Sequence, residues 1–254
     1  MSQLSVNNLS LALAFALVLV AVYISNREKL GLTKDIFYSI SRAIIQLVIV
    51  GYILKYIFNV NNVILTAAMS FFIVLNAAYN AHKRNPNDHK SYFNSLLAIF
   101  VSTYVTMGVL VAFGSIRFIP SQIVPISGMI ASNSMVAIGL CYRNLNTLFK
   151  NQRQQVLEKL ALGASMKQAS LPLLHASIKT AMQPTIDSAK TVGLVSLPGM
   201  MSGLIFAGVD PVRAIKYQIM VTFMLLSATS LGSIIAGYRT YKDYYNERLQ
   251  LRVK

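Results

Sequence analysis

Seven stretches of the chain stay apolar over roughly the 20 residues that a helix needs to cross a bilayer. They lie at 9–24, 36–58, 63–81, 95–116, 120–142, 191–209 and 214–238. The first holds almost no polar side chain. No basic segment precedes it, and no small-residue cleavage pattern follows before Arg27 and Lys29, so it predicts a retained helix and not a signal peptide. The pattern as a whole predicts an all-α, polytopic helical membrane protein.

One long segment, 143–190, breaks the apolar pattern. Val156, Leu157, Leu160, Ala161 and Ala164 recur at helical spacing and give one apolar face. Gly163 is placed to end that helix in the left-handed conformation, and Ser165 with Gln168 forms a capping box for a new start. Leu174, Ile178, Ala181 and Met182 make a second apolar stripe. Pro172 and Pro184 predict a bend near Leu171 and a break before the sixth span. The expectation is a set of short, angled helices near the membrane surface.

Charge orients the chain. Only 12% of residues are charged and 55% are hydrophobic, yet the net charge is +15. In a soluble protein that excess would suggest nucleic acid, whereas cytoplasmic loops of membrane proteins collect Lys and Arg. With the N-terminus outside, the outer loops hold only Arg117, Arg213 and, at a span edge, Lys216. Lys55 lies near the outer end of the second span and Arg42 within it; every other Lys and Arg falls inside. This predicts an N-out, C-in chain in the cell (inner or plasma) membrane, with 143–190 as a cytoplasmic arm and with lipid, not nucleic acid, around it.

Candidate chemistry is sparse. No G-x-x-x-x-G-K-S/T loop, H-E-x-x-H or G-x-S-x-G occurs, so the chain has no nucleotide-hydrolysing apparatus of its own. Cys141 is the single cysteine, which excludes a disulfide framework. His82, Asp88 and His89 share one loop; a solvated loop accounts for them, a weak metal site being the alternative. The acidic residues all fall in loops, in the arm or after the last span, so no intramembrane carboxylate is expected to couple transport to a proton or sodium gradient. Within the spans, Arg42 and Gln46 stand one turn apart, either facing a path or with Arg42 reaching to headgroups. The fifth and sixth spans carry prolines, glycines and polar residues that predict broken helices beside a path or gate. These are Pro125, Gly128, Met129, Asn133 and Ser134, then Pro198, Gly199, Met200 and Met201. Close helix packing by small residues accounts for the same pattern.

Two runs carry a resemblance. Glu158 with Leu160, Ala161, Leu162, Gly163, Ala164 and Ser165 resembles the E-A-A-like coupling loop of ABC transporter permeases, with Lys159 following Glu158 where that pattern has alanine. The run PTIDSAKTVGLVSLPGMMSG at 184–203, continued by Gly208, Val209, Asp210 and Pro211, resembles the signature of the FetB family. The likeness extends over nearly the whole chain. It implies a single transmembrane permease domain, 1–254, belonging to an ABC transporter implicated in iron export, with plant relatives linked to aluminium tolerance. It further implies a cytosolic ABC ATPase that binds ATP and magnesium and docks on the arm, no cofactor in this chain, and a homodimer enclosing one path. Left open beside it are a permease for a lipid, peptide or amphiphile and a non-transporting membrane scaffold or receptor.

Overall fold

The computed structural model describes residues 7–60, 62–85, 91–246, 248 and 250–252, and among them all regular structure is helical. Helices α1 (Asn8–Ala14) and α2 (Ala16–Arg27) meet at Phe15, which keeps helical backbone angles, so together they make one pass. α3 (Thr33–Val60), α4 (Val63–His82), α5 (Ser91–Ala112), α6 (Pro120–Asn151) and α10 (Pro211–Thr240) are also long and apolar enough to cross. Between α6 and α10 come α7 (Arg153–Ala161), α8 (Met166–Thr191) and the short α9 (Gly199–Phe206).

The pass predicted at 191–209 takes another form. It is not one helix: α8 ends at Thr191, residues 192–198 form a tight non-helical loop around Gly193 (φ +87°), and α9 completes the stretch. The chain still climbs here, because α8 runs antiparallel to α6. Asn144 of α6 donates to Thr180 of α8 at 3.2 Å, while Asn133 and Ser188 line the same cleft further up. α10 runs parallel to α6, with Ser134 donating to the Ala228 carbonyl and Cys141 approaching that of Ser233. α5 is antiparallel to α6 through Ser95–Tyr142 and Ser102–Ser134. α5, α6, α8 and α10 therefore alternate in direction, and the stretch 191–209 is discontinuous. Which end faces the cytoplasm follows from the basic residues, not from the packing.

The expected proline breaks are corrected. α6 passes unbroken through Pro125, and α8 runs for 26 residues through both Pro172 and Pro184. A proline removes one N–H and frees one carbonyl, a defect that a helix packed among neighbours can absorb. α6 is therefore a rod of about 48 Å and α8 one of about 39 Å. The lower turns of α6 extend below its apolar span into the arm.

Three apolar clusters stack along the bundle. Ile123, Ile126, Ile130, Met107 and Met224 lie towards the outer end of α6, and Ile138, Tyr142, Val74 and Ile99 in its middle. At the inner end Leu145 and Phe149 gather Val156 of α7, Leu173 and Leu174 of α8, and Tyr241, Tyr244, Tyr245 and Leu251 of the tail. Two glycines make this closeness possible. A Cβ on Gly139 would stand 2.6 Å from Arg84 Cδ, and one on Gly237 would stand 2.8 Å from Leu174 Cδ1. By contrast α1, α2 and α3 scarcely touch the bundle, and their apolar spans are only 6% buried.

Two outcomes follow. Gly237→Val forces branched bulk against buried Leu174 and Cys141, so it should destabilise the purified protein by about 1–3 kcal/mol, whereas Gly51→Ala, with open space around it, should be near neutral. Thermal aggregation followed by size exclusion compares the two. Burial pushes the Tyr245 hydroxyl up, opposed by its hydrogen bond with Ser170 at 2.6 Å. A folded-state pKa above the unfolded one makes the contact fully stabilising below the unfolded value near 10, and the gain is lost as pH rises through the folded value. Proteolytic release of the tail should accelerate only above about pH 10.

Candidate functional site

The lower end of the molecule is a small, stiff tip. α7 ends at Ala161, and Gly163 takes φ +86°, which lets its N–H reach the Leu160 carbonyl and that of Ala164 reach the Lys159 carbonyl, both at 3.0 Å. The predicted capping box is present: Ser165 Oγ accepts from the Gln168 N–H, and Gln168 Oε1 accepts from the Ser165 N–H at 2.9 Å. The turn exposes Ala161, Gly163, Ser165 and above all Leu162, which is 88% accessible. Leu160 and Ala164 are half-buried, and Glu158 is exposed, accepting from Gln154 at 3.1 Å.

The tip is fixed to the bundle. Phe149 of α6 stacks on Tyr244 at 4.2 Å and meets Tyr245 edge-on. Arg239 of α10 donates to Asn94 Oδ1 at 2.9 Å, and Asn94 donates to Asp243 at 3.2 Å. The tail after α10 thus clamps α7, α8 and the ends of α5 and α6 together. This short tail carries no helical apolar period, so its role is set by what it packs against.

From the tip α8 rises beside α6. A cleft of about 140 Å³ between them is lined by Asn133, Val136, Ala137 and Leu140 of α6, by Ala181, Pro184, Thr185 and Ser188 of α8, and by Leu225 of α10. Asn133 lies about 20 Å along α6 from Pro120 and about 15 Å from Arg143, near the middle of the crossing. The end of α8 is therefore at membrane depth. There it exposes Gln183, Asp187, Ser188, Lys190 and Thr191 on one face. Gln183 Nε2 donates to both Asp187 oxygens at 2.9 and 3.1 Å, and Lys190 Nζ pairs with Asp187 at 3.3 Å. At that level Asp187 is a candidate exception to the carboxylate-free spans expected from the sequence. The spacing 183, 187, 190, 191 is that of one helical face, which a helix ending at Pro184 does not form.

The other predicted residues divide. Pro125 is exposed on α6; Gly128, Met129 and Asn133 are half-buried, and the Asn133 amide donates to the Met129 carbonyl at 2.8 Å. Ser134 is fully buried, accepting from Ser102 and donating to the Ala228 carbonyl, so it ties three helices together and faces no cleft. Gly199 is exposed, Pro198 half-buried and Met201 buried. Met129 and Met200 pack on the same outer cluster as Met107 and Met224, where flexible thioethers fill the core. Arg42 and Gln46 are exposed on α3 and are not brought to this group. Asp88 and His89 lie outside the described residues; His82 sits edge-on to Tyr92. Among the described residues no three His, Cys, Asp or Glu side chains gather as a metal site.

The profile of the uncharacterised protein family UPF0014 matches residues 8–245. The chain is 60% identical to the Escherichia coli protein named "Probable iron export permease protein FetB", covering 100% of this chain and 98% of the relative. It is 35% identical to "Protein ALUMINUM SENSITIVE 3" of Arabidopsis thaliana, over 95% of this chain and 88% of the relative. It is 34% identical to "UPF0014 membrane protein YjkA" of Bacillus subtilis, over 96% and 98%. No solved structure matches. A match along nearly the whole chain, by profile and by individual relatives, places this multi-pass membrane protein in the UPF0014 family.

Proposed function

We propose that this chain is the membrane subunit of an ATP-driven exporter of metal cations, iron foremost, and that it works as a homodimer with two cytosolic ATPase subunits. The observation that carries the reading is the polar face of α8. An ion pair, an amide and two hydroxyls stand exposed at a depth where lipid would surround a lone chain. Charged side chains in the hydrocarbon core are costly and as a rule face a bundle interior or a water-filled cavity. A second copy facing the first across this surface encloses such a cavity. The cargo follows the names of the relatives, one an iron export permease and one referring to aluminium. It also follows the oxygen-rich side chains, since carboxylate, amide and hydroxyl oxygens suit hard cations.

Energy enters at the other end. The chain carries no nucleotide-binding loop, and Leu162 projects from a stiff turn with its back to the clamp of aromatic side chains. The ATPase would bind ATP and magnesium and grip 158–165. Closure of the ATPase pair would then move α8 as a rigid rod, and its upper end would open or close the path, a rigid-body change of the kind that packed helices allow.

Replacing Leu162 by Glu removes the apolar contact without touching the fold, because the side chain packs on nothing. Co-purification with the ATPase and cation-stimulated ATP hydrolysis in liposomes should both fall at least about tenfold, as for an anchor residue worth 2 kcal/mol or more. Gly163→Trp should do the same. Unchanged complex formation and turnover would contradict the assignment, and turnover stimulated by lipid but not by Fe²⁺ would contradict the cargo.

A further inference from the structure

We propose that Asp187 is a ligand of the transported cation and that Lys190 is its tethered competitor, occupying the carboxylate whenever the path is empty. This rests on the reading of α8 as the wall of a path between two copies.

The geometry is local and simple. Asp187 and Lys190 are one turn apart on α8, with Nζ 3.3 Å from Oδ1 and side chains 53% and 66% exposed respectively. Gln183, one turn below, donates to both carboxylate oxygens. On the surface of a soluble protein such a pair would contribute little, because water screens it. Here the position changes its meaning. Asp187 adjoins Ser188, which shares a cleft with Asn133 of α6, so the pair stands at that level of the bundle, within one turn of the point where α8 gives way to the loop 192–198. Among the described residues no other carboxylate belongs to a helix at this depth: Glu28 and Asp35 flank α2 and α3 at their lower ends, Glu158 is at the tip, Asp210 caps α10 at its upper end and Asp243 lies after α10.

The chemistry then has two states. With no cargo, the ammonium neutralises the carboxylate and the amide N–H completes its hydrogen bonds, so the empty path holds no uncompensated charge. With a cation present, Lys190 swings away on its four-carbon stem. The Gln183 amide turns its oxygen towards the site, and Ser188 lies on the same exposed face. Two copies bring two carboxylates, which matches a divalent hard cation. No bond is made or broken; one cation replaces another. Because the competitor is attached three residues away, its effective concentration is high and constant. A transport site must bind firmly enough to load and weakly enough to release, and a built-in competitor supplies the second half. The loop above presents mainly apolar groups, with Leu194 91% and Val195 82% exposed, beside the single exposed hydroxyl of Ser196.

The test uses the full chain in lipid nanodiscs with Mn²⁺ as the probe, its binding read from loss of the free-ion resonance signal. The wild-type protein should bind a single ion shared by a pair of chains. Asp187→Asn, the same shape without the charge, should weaken binding by at least about tenfold, since ligand charge sets the affinity of oxygen sites. Lys190→Met should tighten it by about two- to fivefold, the scale of an exposed ion pair. Size exclusion and helix content establish that both variants are folded. Wild-type affinity in Asp187→Asn, or affinity unchanged or weakened in Lys190→Met, overturns the proposal. Iron efflux by the wild-type chain with its ATPase is scored separately: its absence sinks the exporter reading, while the Mn²⁺ titration still decides the site.

Discussion

A charge cannot rest in hydrocarbon. That constraint governs where every polar group of this protein goes, and the chain meets it in three ways. Most basic residues are kept to the ends of passes, where they reach water. Buried hydroxyls between helices are spent on one another and on carbonyls, as in the Ser102–Ser134–Ala228 relay. The third way is the exception: Gln183, Asp187 and Lys190 satisfy one another on an exposed face at mid-depth. Such a face is compatible with a membrane only if water or a second copy covers it. The proposed homodimer and the proposed path both descend from that requirement.

The same helix supplies the mechanics. α8 begins at a capping box beside the exposed tip and ends beside the loop 192–198, without interruption at either proline. Its lower half is buried at Leu173, Leu174, Ser177 and Ala181 against α6 and α10, and the tail tyrosines close the clamp from below. Force applied at Leu162 therefore meets no hinge before the loop at 192–198, where Gly193 takes a left-handed conformation. Unlike α8, helices α1–α3 contact little of the bundle, so their apolar surfaces are left to lipid.

Much of this was legible beforehand. The passes could be read from apolar length, and the tip from Gly163, Ser165 and Gln168, because capping is a local chemistry that neighbours do not overrule. Other features depended on what lay alongside. Pro125, Pro172 and Pro184 are breakers in isolation, but α6 and α8 stay continuous through them where their buried faces pack on neighbouring helices. The stretch 191–209 looked like one apolar span although only Thr191 of it belongs to α8 and the tight loop around Gly193 separates it from the short α9, since hydropathy averages over a break that a left-handed glycine makes. Ser134 looked like its neighbour Asn133, yet one turns into the bundle and the other to the cleft, a difference of 100° around one helix that no composition can reveal.

The central claim is that the upper end of α8 faces water at membrane depth. Cysteine accessibility in native membranes tests it most directly, with buried Cys141 as a silent background. Ser188→Cys and Thr191→Cys lie on the polar face, Ala181→Cys is buried beside it, and Phe72→Cys is exposed on α4, away from any charged side chain of α8. A charged, water-borne methanethiosulfonate reagent should modify the first two and spare the last two, because the reactive thiolate forms only in water. If positions 188 and 191 prove as inert as position 72, the face is turned to lipid and the account fails.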